Sequence, residues 1–548
     1  MANIKEYTDA IKNAVYGEQV RGSIIDALDA VNDDNNSYAQ IKQDILVAKS
    51  SVEGTVAAFG TTASNAVTAV QNQQTTSVGA VNSAADAKIA TMNGIVEEAE
   101  QVVEDVNEEI NNIKEYLGDI PTNVVGIQID FANKRFKRLG GAEGKTQGSD
   151  FDIFPMFGGR KRCCVDNDGT ILSYYGDDTY SEDGSNSQVM VYQPKFYYRV
   201  VPLKIEKNTV SGIGYHIRKA NYYVSDTPQT GFKLHPAFYD ANGNEVDYIL
   251  LSAFEGSMYD VSASAYVNDG VDTETGIGEG DLLASVAGVK PISGLKKNLS
   301  KANAELLANN RGSGWHLETI KATMANTLLM IIEFGTLNTQ TALGNGVTGI
   351  TDNSAYNCSS LTGSTSSLGN ASGAAAETIN EIGGTETTYN TNGKVSVSYR
   401  GMENPWGNIW KHIQGINIWG NGHMGGGQPY VADGLADFNE SKHTGNYKAV
   451  GFTIPNASGY INALGYGNTD FDWLLMPSEI GGTSSLPVGD YTYVTANLNG
   501  YKIALLGGGW AYGAYAGGFC WNCSHGVGYR DRSIGGRLLY VPTANIPE

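Results

Sequence analysis

Apolar residues in the first stretch recur at helical spacing: Ile11, Ala14 and Val15, then Ile24, Ile25, Leu28 and Val31. Gly17 separates two short predicted helices over residues 1–36. From Ile41 to Leu117 the composition shifts to Ala, Val, Ser, Thr, Asn, Gln and Glu, with no proline until Pro121, which predicts one long helix. Its second half carries a heptad seam. Ile89, Val96, Val103, Ile110 and Leu117 interleave with Val78, Ala85, Met92, Ala99, Val106 and Ile113, the alternation of three and four that marks a coiled coil. An earlier seam, Val52, Val56, Phe59, Ala63, Ala66 and Val70, is out of phase with it, and Gly54, Gly60, Gly79 and Gly94 interrupt the region. Residues 37–120 are therefore expected to form a jointed helical stalk.

After Pro121 the period changes from helix to strand. Ile127, Ile129 and Phe131 alternate with polar neighbours, Val189 to Val201 is dense in β-branched and aromatic residues, and "DNDGT", "DANGN" and "NTNGK" supply hairpin turns. Residues 121–297 are expected to be a β-rich connecting domain. Helical periodicity returns in Ser300 to Asn310 and Trp315 to Gly335, with Ile320, Met324, Leu328 and Ile331 on one face. A further domain is thus expected over residues 298–548, with a Ser-, Gly-, Thr- and Ala-rich insertion at 351–378 and short strands in Gly- and Asn-rich loops beyond Val395. The fold class expected is multidomain α+β.

Charge narrows the partners. Between Glu97 and Glu115 the stalk carries eight acidic residues against Lys114 alone, so an isolated helix would repel itself and needs partners to bury its stripe. β-branched residues at both seam positions, such as Ile110 with Ile113, favour a homotrimer; the alternative is one amphipathic helix lying on its own domain. A net charge of −21 with 37 Lys plus Arg argues against nucleic acid or an anionic membrane as partner. No apolar run reaches the roughly 18 residues of a membrane span, and "MANIKEY" lacks a secretory pattern.

Four patterns look like chemistry. "GNGHMG" matches a dinucleotide fingerprint at Gly420, Gly422 and Gly425, but runs on to Pro429 with no helix to cradle a phosphate. "DNDGT" at Asp166 has too few carboxylates for a calcium loop. Cys163 and Cys164 follow Arg160, Lys161 and Arg162, yet nothing else marks a nucleophile. Cys520 and Cys523 form a C-x-x-C beside His525 in a Gly-rich loop, without the second pair a zinc site needs. The five cysteines make no disulfide framework, and the seven histidines show no catalytic or H-x-x-x-H spacing.

Tyr399 to Ile418, "YRGMENPWGNIWKHIQGINI", together with Leu486 to Trp510 and "SIGGRLLYVP" from Ser533, resembles the C-type-lectin-fold domain of phage tail proteins. More narrowly it is similar to the variable proteins of diversity-generating retroelements, of the major-tropism-determinant type. The opening "EYTDAIKNAVYGEQVRGSIIDAL" resembles the baseplate-attachment segment of tail fibres. In such systems error-prone copying at adenines turns AAC codons into NNC, which never encodes Lys, Glu, Gln, Met or Trp. Between Gly509 and Ser533 those types are missing apart from Trp510 and Trp521, whose codon holds no adenine.

The resemblance implies a tail-fibre receptor-binding protein in the virion, with host-cell attachment, to a protein or a glycan, as its activity and no enzymatic turnover. The variable surface it implies consists of Gly509, Ala511, Tyr512, Tyr515, Cys520, Asn522, Cys523, Ser524, His525, Tyr529, Asp531 and Ser533, with Trp510, Phe519, Trp521, Ile534 and Arg537 as scaffold anchors. No cofactor is expected, and structural calcium is left open. Formylglycine-generating enzymes share the fold and a stretch similar to "GNIWKH" (Gly407 to His412), which makes an oxidase using Cys520 and Cys523 the rival reading; their cysteines are more widely spaced. A fixed, non-diversified fibre tip is the third.

Overall fold

The computed structural model describes residues 39–72, 88–96, 121–185, 187–267, 276–294, 298–352, 356–376 and 394–544. The attachment helices expected over 1–36, and the seam beyond Val96, lie outside the described residues. Contacts divide the chain into two units, Met1–Ile120 with Val201–Ile205, and Pro121–Val200 with Glu206–Glu548.

In the first unit, α1 (Ala39–Asn72) runs unbroken through Gly54 and Gly60, which face open space. Val52 and Val56 of the early seam are buried and Phe59, Ala63 and Ala66 half-buried. Residues 88–96 are helical too, but they do not extend α1. Lys88 donates from Nζ to the Ala63 carbonyl at 3.2 Å, across a sequence separation of 25; on one straight helix those residues would stand ~37 Å apart. The two helical segments therefore lie side by side, a correction to the single long helix expected. Ile89 of the heptad seam is 56 % exposed, whereas Ile95, outside it, is buried.

The second unit is β-rich. Its strands include β1 (Val125–Asp130), β2 (Lys161–Val165), β3 (Gln188–Pro194), β4 (Tyr215–Ser225) and β5 (Tyr248–Ser252). Two helices follow. In α2 (Lys301–Asn309) the Ser300 hydroxyl accepts from the Asn303 N–H, and in α3 (Ile320–Phe334) the Thr319 hydroxyl accepts from the Ala322 N–H. α3 ends on Gly335 at φ 69° and buries every residue but Lys321, including the polar Thr323, Asn326, Thr327 and Glu333. Trp315–Leu317, expected within that helix, is a strand, because the Thr319 cap starts the helix after it.

The remaining strands used below are β6 (Trp410–His412), β7 (Gly459–Tyr466), β8 (Tyr491–Val494), β9 (Leu505–Leu506), β10 (Trp521–Cys523), β11 (Ile534–Gly535) and β12 (Leu538–Tyr540). One sheet runs β1, β4, β7, β8, β10, β9, β6, β11, and another runs β12, β5, β3, β2. The boundary expected at 297/298 is corrected by this pairing. β4 joins β7 through His216 with Gly465, and β5 joins β12 through Leu251 with Leu539, so strands from both sides of the boundary complete each other's edges.

Buried ion pairs tie the second unit together. Arg400 donates from Nε and Nη2 to the two carboxylate oxygens of Glu333 in α3, at 2.6 and 2.9 Å. Lys411 of β6 meets Glu255 at 2.9 Å, with neither side chain more than 3 % exposed. Among the described residues no helix is long and apolar enough to cross a membrane.

Candidate functional site

The C-terminal loop is pinned at both ends to β6. β9 pairs with it on one edge, Lys411 opposite Leu506, and β11 pairs parallel on the other, Trp410 opposite Ile534. Past β9 the chain turns through Gly507 and Gly508, at φ 99° and 77°. A Cβ on Gly508 would stand 2.7 Å from that of Ala516, so only glycine lets the loop fold back on itself there. Trp510 drops into a pocket of Val347, Ile350, Cys358 and Ile409, and its Nε1 donates to Asp352 at 3.0 Å. Ala511 to Tyr515 then form an exposed or half-exposed arc, held where the Gly513 N–H donates to the Thr348 carbonyl at 2.8 Å.

From Ala516 to Cys523 the chain goes back inside. The Phe519 N–H donates to the buried Asp490 carboxyl at 2.7 Å, and β10 slots between β9 and β8. A second arc, Ser524 to Ser533, is exposed or half-exposed. Its ends are shaped by side-chain caps: Asn522 Oδ1 accepts from the Ser524 N–H and hydroxyl, and Asp531 Oδ1 accepts from those of Ser533.

Between the two arcs opens a pocket of about 260 Å³ lined by Trp410, Trp510, Ala511, Tyr512, Asn522, His525, Tyr529, Asp531, Arg532, Ser533 and Asp352. Tyr512 stands edge-on to Trp410, centroids 5.1 Å apart at 87°, and His525 stacks on Tyr529. A row of tyrosines leads away from the pocket: Tyr512 to Tyr493 at 6.0 Å, Tyr493 to Tyr491 at 4.8 Å, and Tyr491 to Tyr515 at 4.9 Å and Tyr460 at 5.3 Å. These rings are half-exposed or exposed. Such a surface offers large rigid amphipathic contacts that lose little entropy on binding.

Burial, and then the Lys502 charge, hold the His525 imidazole below its ordinary range, against the pull of Asp531. His525 is thus the neutral ring near pH 7, a donor and an acceptor at once. Burial pushes the Tyr512 and Tyr529 hydroxyls up, keeping both protonated as donors. The hydrogen bond to Asp352 stabilises the Arg532 cation. The pocket presents ring edges, hydrogen-bond donors and acceptors, and the Arg532 cation.

Of the expected surface, the structure brings Ala511, Tyr512, Asn522, His525, Tyr529, Asp531 and Ser533 to the pocket, while Tyr515 joins the tyrosine row and Ser524 borders the second arc. Three positions are corrected. Gly509, Cys520 and Cys523 are buried, because this stretch packs against Trp410 or completes β10. The anchors Trp510, Phe519, Trp521, Ile534 and Arg537 are all at most 2 % exposed, and Arg537 donates through Nη1 and Nη2 to the Glu403 carbonyl.

The cysteine pair is held in the protonated, buried form. Burial pushes the Cys523 thiol up to about 12 and Cys520 well above the ordinary thiol range, the latter helped by Asp490, so neither is a thiolate near pH 7. Neither thiol is thus poised as the nucleophile that the oxidase reading needs. Among the described residues no group of three or more His, Cys, Asp or Glu is placed to hold a metal ion.

Sequence reasoning missed Asp352, Trp410, Arg532 and the tyrosines of β7 and β8. Tyr491 and Tyr493 did carry a signal, since their spacing in "DYTYV" puts both on one face of a strand. Asp352 carried none; it arrives from the 351–378 insertion only through folding.

No protein-family profile matches the chain, and no match was found among curated proteins. Among solved structures it is similar to the Major Tropism Determinant P3c variant, at 13 % identity over 70 % of this chain and 71 % of that one, with a TM-score of 0.24. The Major Tropism Determinant U1 variant gives 13 % identity, 70 % and 72 % coverage and a TM-score of 0.24. At that similarity the reading of function rests on the site itself.

Proposed function

We propose that the chain is the receptor-binding protein of a phage or prophage tail, attaching to a host-cell surface protein or glycan through the pocket and the tyrosine row beside it. One observation carries this reading. Ala511, Tyr512, His525, Tyr529, Asp531 and Ser533 come from two separate arcs, yet they converge on one open pocket while the segment between the arcs, 516–523, is buried. A surface that must change partner without unfolding needs that division between exposed and interior positions.

In this reading the C-terminal part of the second unit carries a lectin-like fold whose 509–533 tract is diversified at adenines, residues 1–36 attach to the tail, and the 37–120 stalk assembles a homotrimer in the virion. Trimerisation raises weak single-site binding through avidity when receptors are dense. The test is to sequence the DNA flanking the gene. A near-repeat of codons 509–533 whose mismatches fall only on adenines, beside a reverse transcriptase gene, supports the reading. If neither is present, the tip is a fixed adhesin.

A further inference from the structure

Arg532 is held by a set of groups that would hold any guanidinium. Its Nη2 donates to Asp352 Oδ2 at 2.7 Å, its Nη1 donates to the Tyr356 carbonyl at 3.0 Å, and its guanidinium carbon lies 5.5 Å from the centre of the Trp510 ring. Trp510 in turn orients the carboxylate, donating to Asp352 Oδ1 at 3.0 Å. Two directed acceptors and an aromatic face are what a planar, delocalised cation selects over a compact ammonium. Asp352 and Tyr356 lie outside the 509–533 tract, and tryptophan has no adenine in its codon, so under the proposed diversification these three groups are constant. Arg532 lies inside the tract. The host groups are fixed and the guest is variable.

We propose that Asp352, the Trp510 ring and the Tyr356 carbonyl form a guanidinium-recognition subsite on the wall of the pocket, filled in this chain by Arg532 and opened to an arginine side chain of the partner when residue 532 is uncharged. The subsite stands on its own geometry; its use by a receptor rests on the proposed attachment role. A change at residue 532 thereby does more than alter one contact. It exposes a carboxylate and switches the class of partner the pocket accepts.

The experiment uses the full chain carrying Arg532→Ser and methylguanidinium as the probe, followed by tryptophan fluorescence and by ligand-observed NMR. Saturable binding with a Kd of roughly 1 mM is expected, ~4 kcal/mol of affinity, with methylammonium at least about tenfold weaker, a difference of ~1.4 kcal/mol. The parent chain is expected to bind none, and Asp352→Asn in the Arg532→Ser background is expected to abolish binding. Absence of binding to Arg532→Ser, or binding that survives Asp352→Asn, overturns the proposal. Should the serine variant fail to fold, Arg532→Gln replaces it under the same criteria. A gene without a template repeat defeats diversification and leaves this result standing.

Discussion

The imidazole of His525 lies flat on the phenol ring of Tyr529, with centroids 3.8 Å apart and planes 3° apart. This stack forms one wall of the pocket, and it makes the second arc sensitive to acid. Burial first, and Lys502 second, keep His525 below its ordinary value of 6.5. As pH falls through that value the unfolded chain takes up a proton that the folded arc resists, so folding loses stability on acidification. An NMR titration should place the His525 midpoint below 6.5, with Lys502→Gln moving it upward. A midpoint above that value would contradict this account of the arc.

Asp490 behaves in the opposite sense. Burial raises its carboxyl well above the ordinary aspartate range, offset only in part by the Phe519 N–H. A carboxyl raised in the folded state contributes stability at low pH and loses it as pH rises past the ordinary value. Asp490→Asn keeps an acceptor for Phe519 without the cost of ionisation. Urea unfolding across about pH 4 to about pH 8 should therefore show the variant gaining on the parent as pH rises. A gap that is constant or narrows would refute it.

Charge removal should separate the two carboxylates that hold Arg400. Glu333 is 1 % exposed and Asp152 57 % exposed. Glu333→Gln leaves a buried guanidinium without its main counter-charge and should cost ~3–5 kcal/mol. Asp152→Asn, at the surface, should cost about 0–1 kcal/mol. Equilibrium denaturation of both variants checks the order, and equal losses would mean that burial does not set the value of the pair.

Thiol accessibility tests the reading of the cysteines. None of the five forms a disulfide, and all are buried. A thiol reagent at neutral pH should label essentially none in the native chain and all five after denaturation. Rapid native labelling of Cys520 or Cys523 would reopen the case for chemistry at that pair.

Much of this was legible in the sequence, and what was not has a physical cause. Trp510, Phe519, Trp521, Ile534 and Arg537 were expected as anchors from the resemblance, and all five are buried. The residue-type pattern singled out 509–533 as one tract. It said nothing of which positions turn inward, since the parallel pairing of β10 with β8 is a long-range event that buries Cys520 and Cys523 whatever their neighbours. The domain boundary failed for the same reason: His216 and Gly465 meet across a distance no local pattern encodes. Asp352 sits in a low-complexity stretch where nothing distinguishes it from linker, and only its bond to Trp510 gives it a role.

The loop begins and ends on the two edges of a strand only three residues long. The second arc runs between two paired strands, β10 and β11, and the cost of closing it depends on length only logarithmically, about 0.6 kcal/mol for each doubling. Gly526 to Arg530, at the outer turn of the second arc, is therefore a place where residues can be added or removed at little thermodynamic expense. Length, and with it the depth of the pocket, is a second coordinate along which this surface can diverge, independent of which side chains it displays.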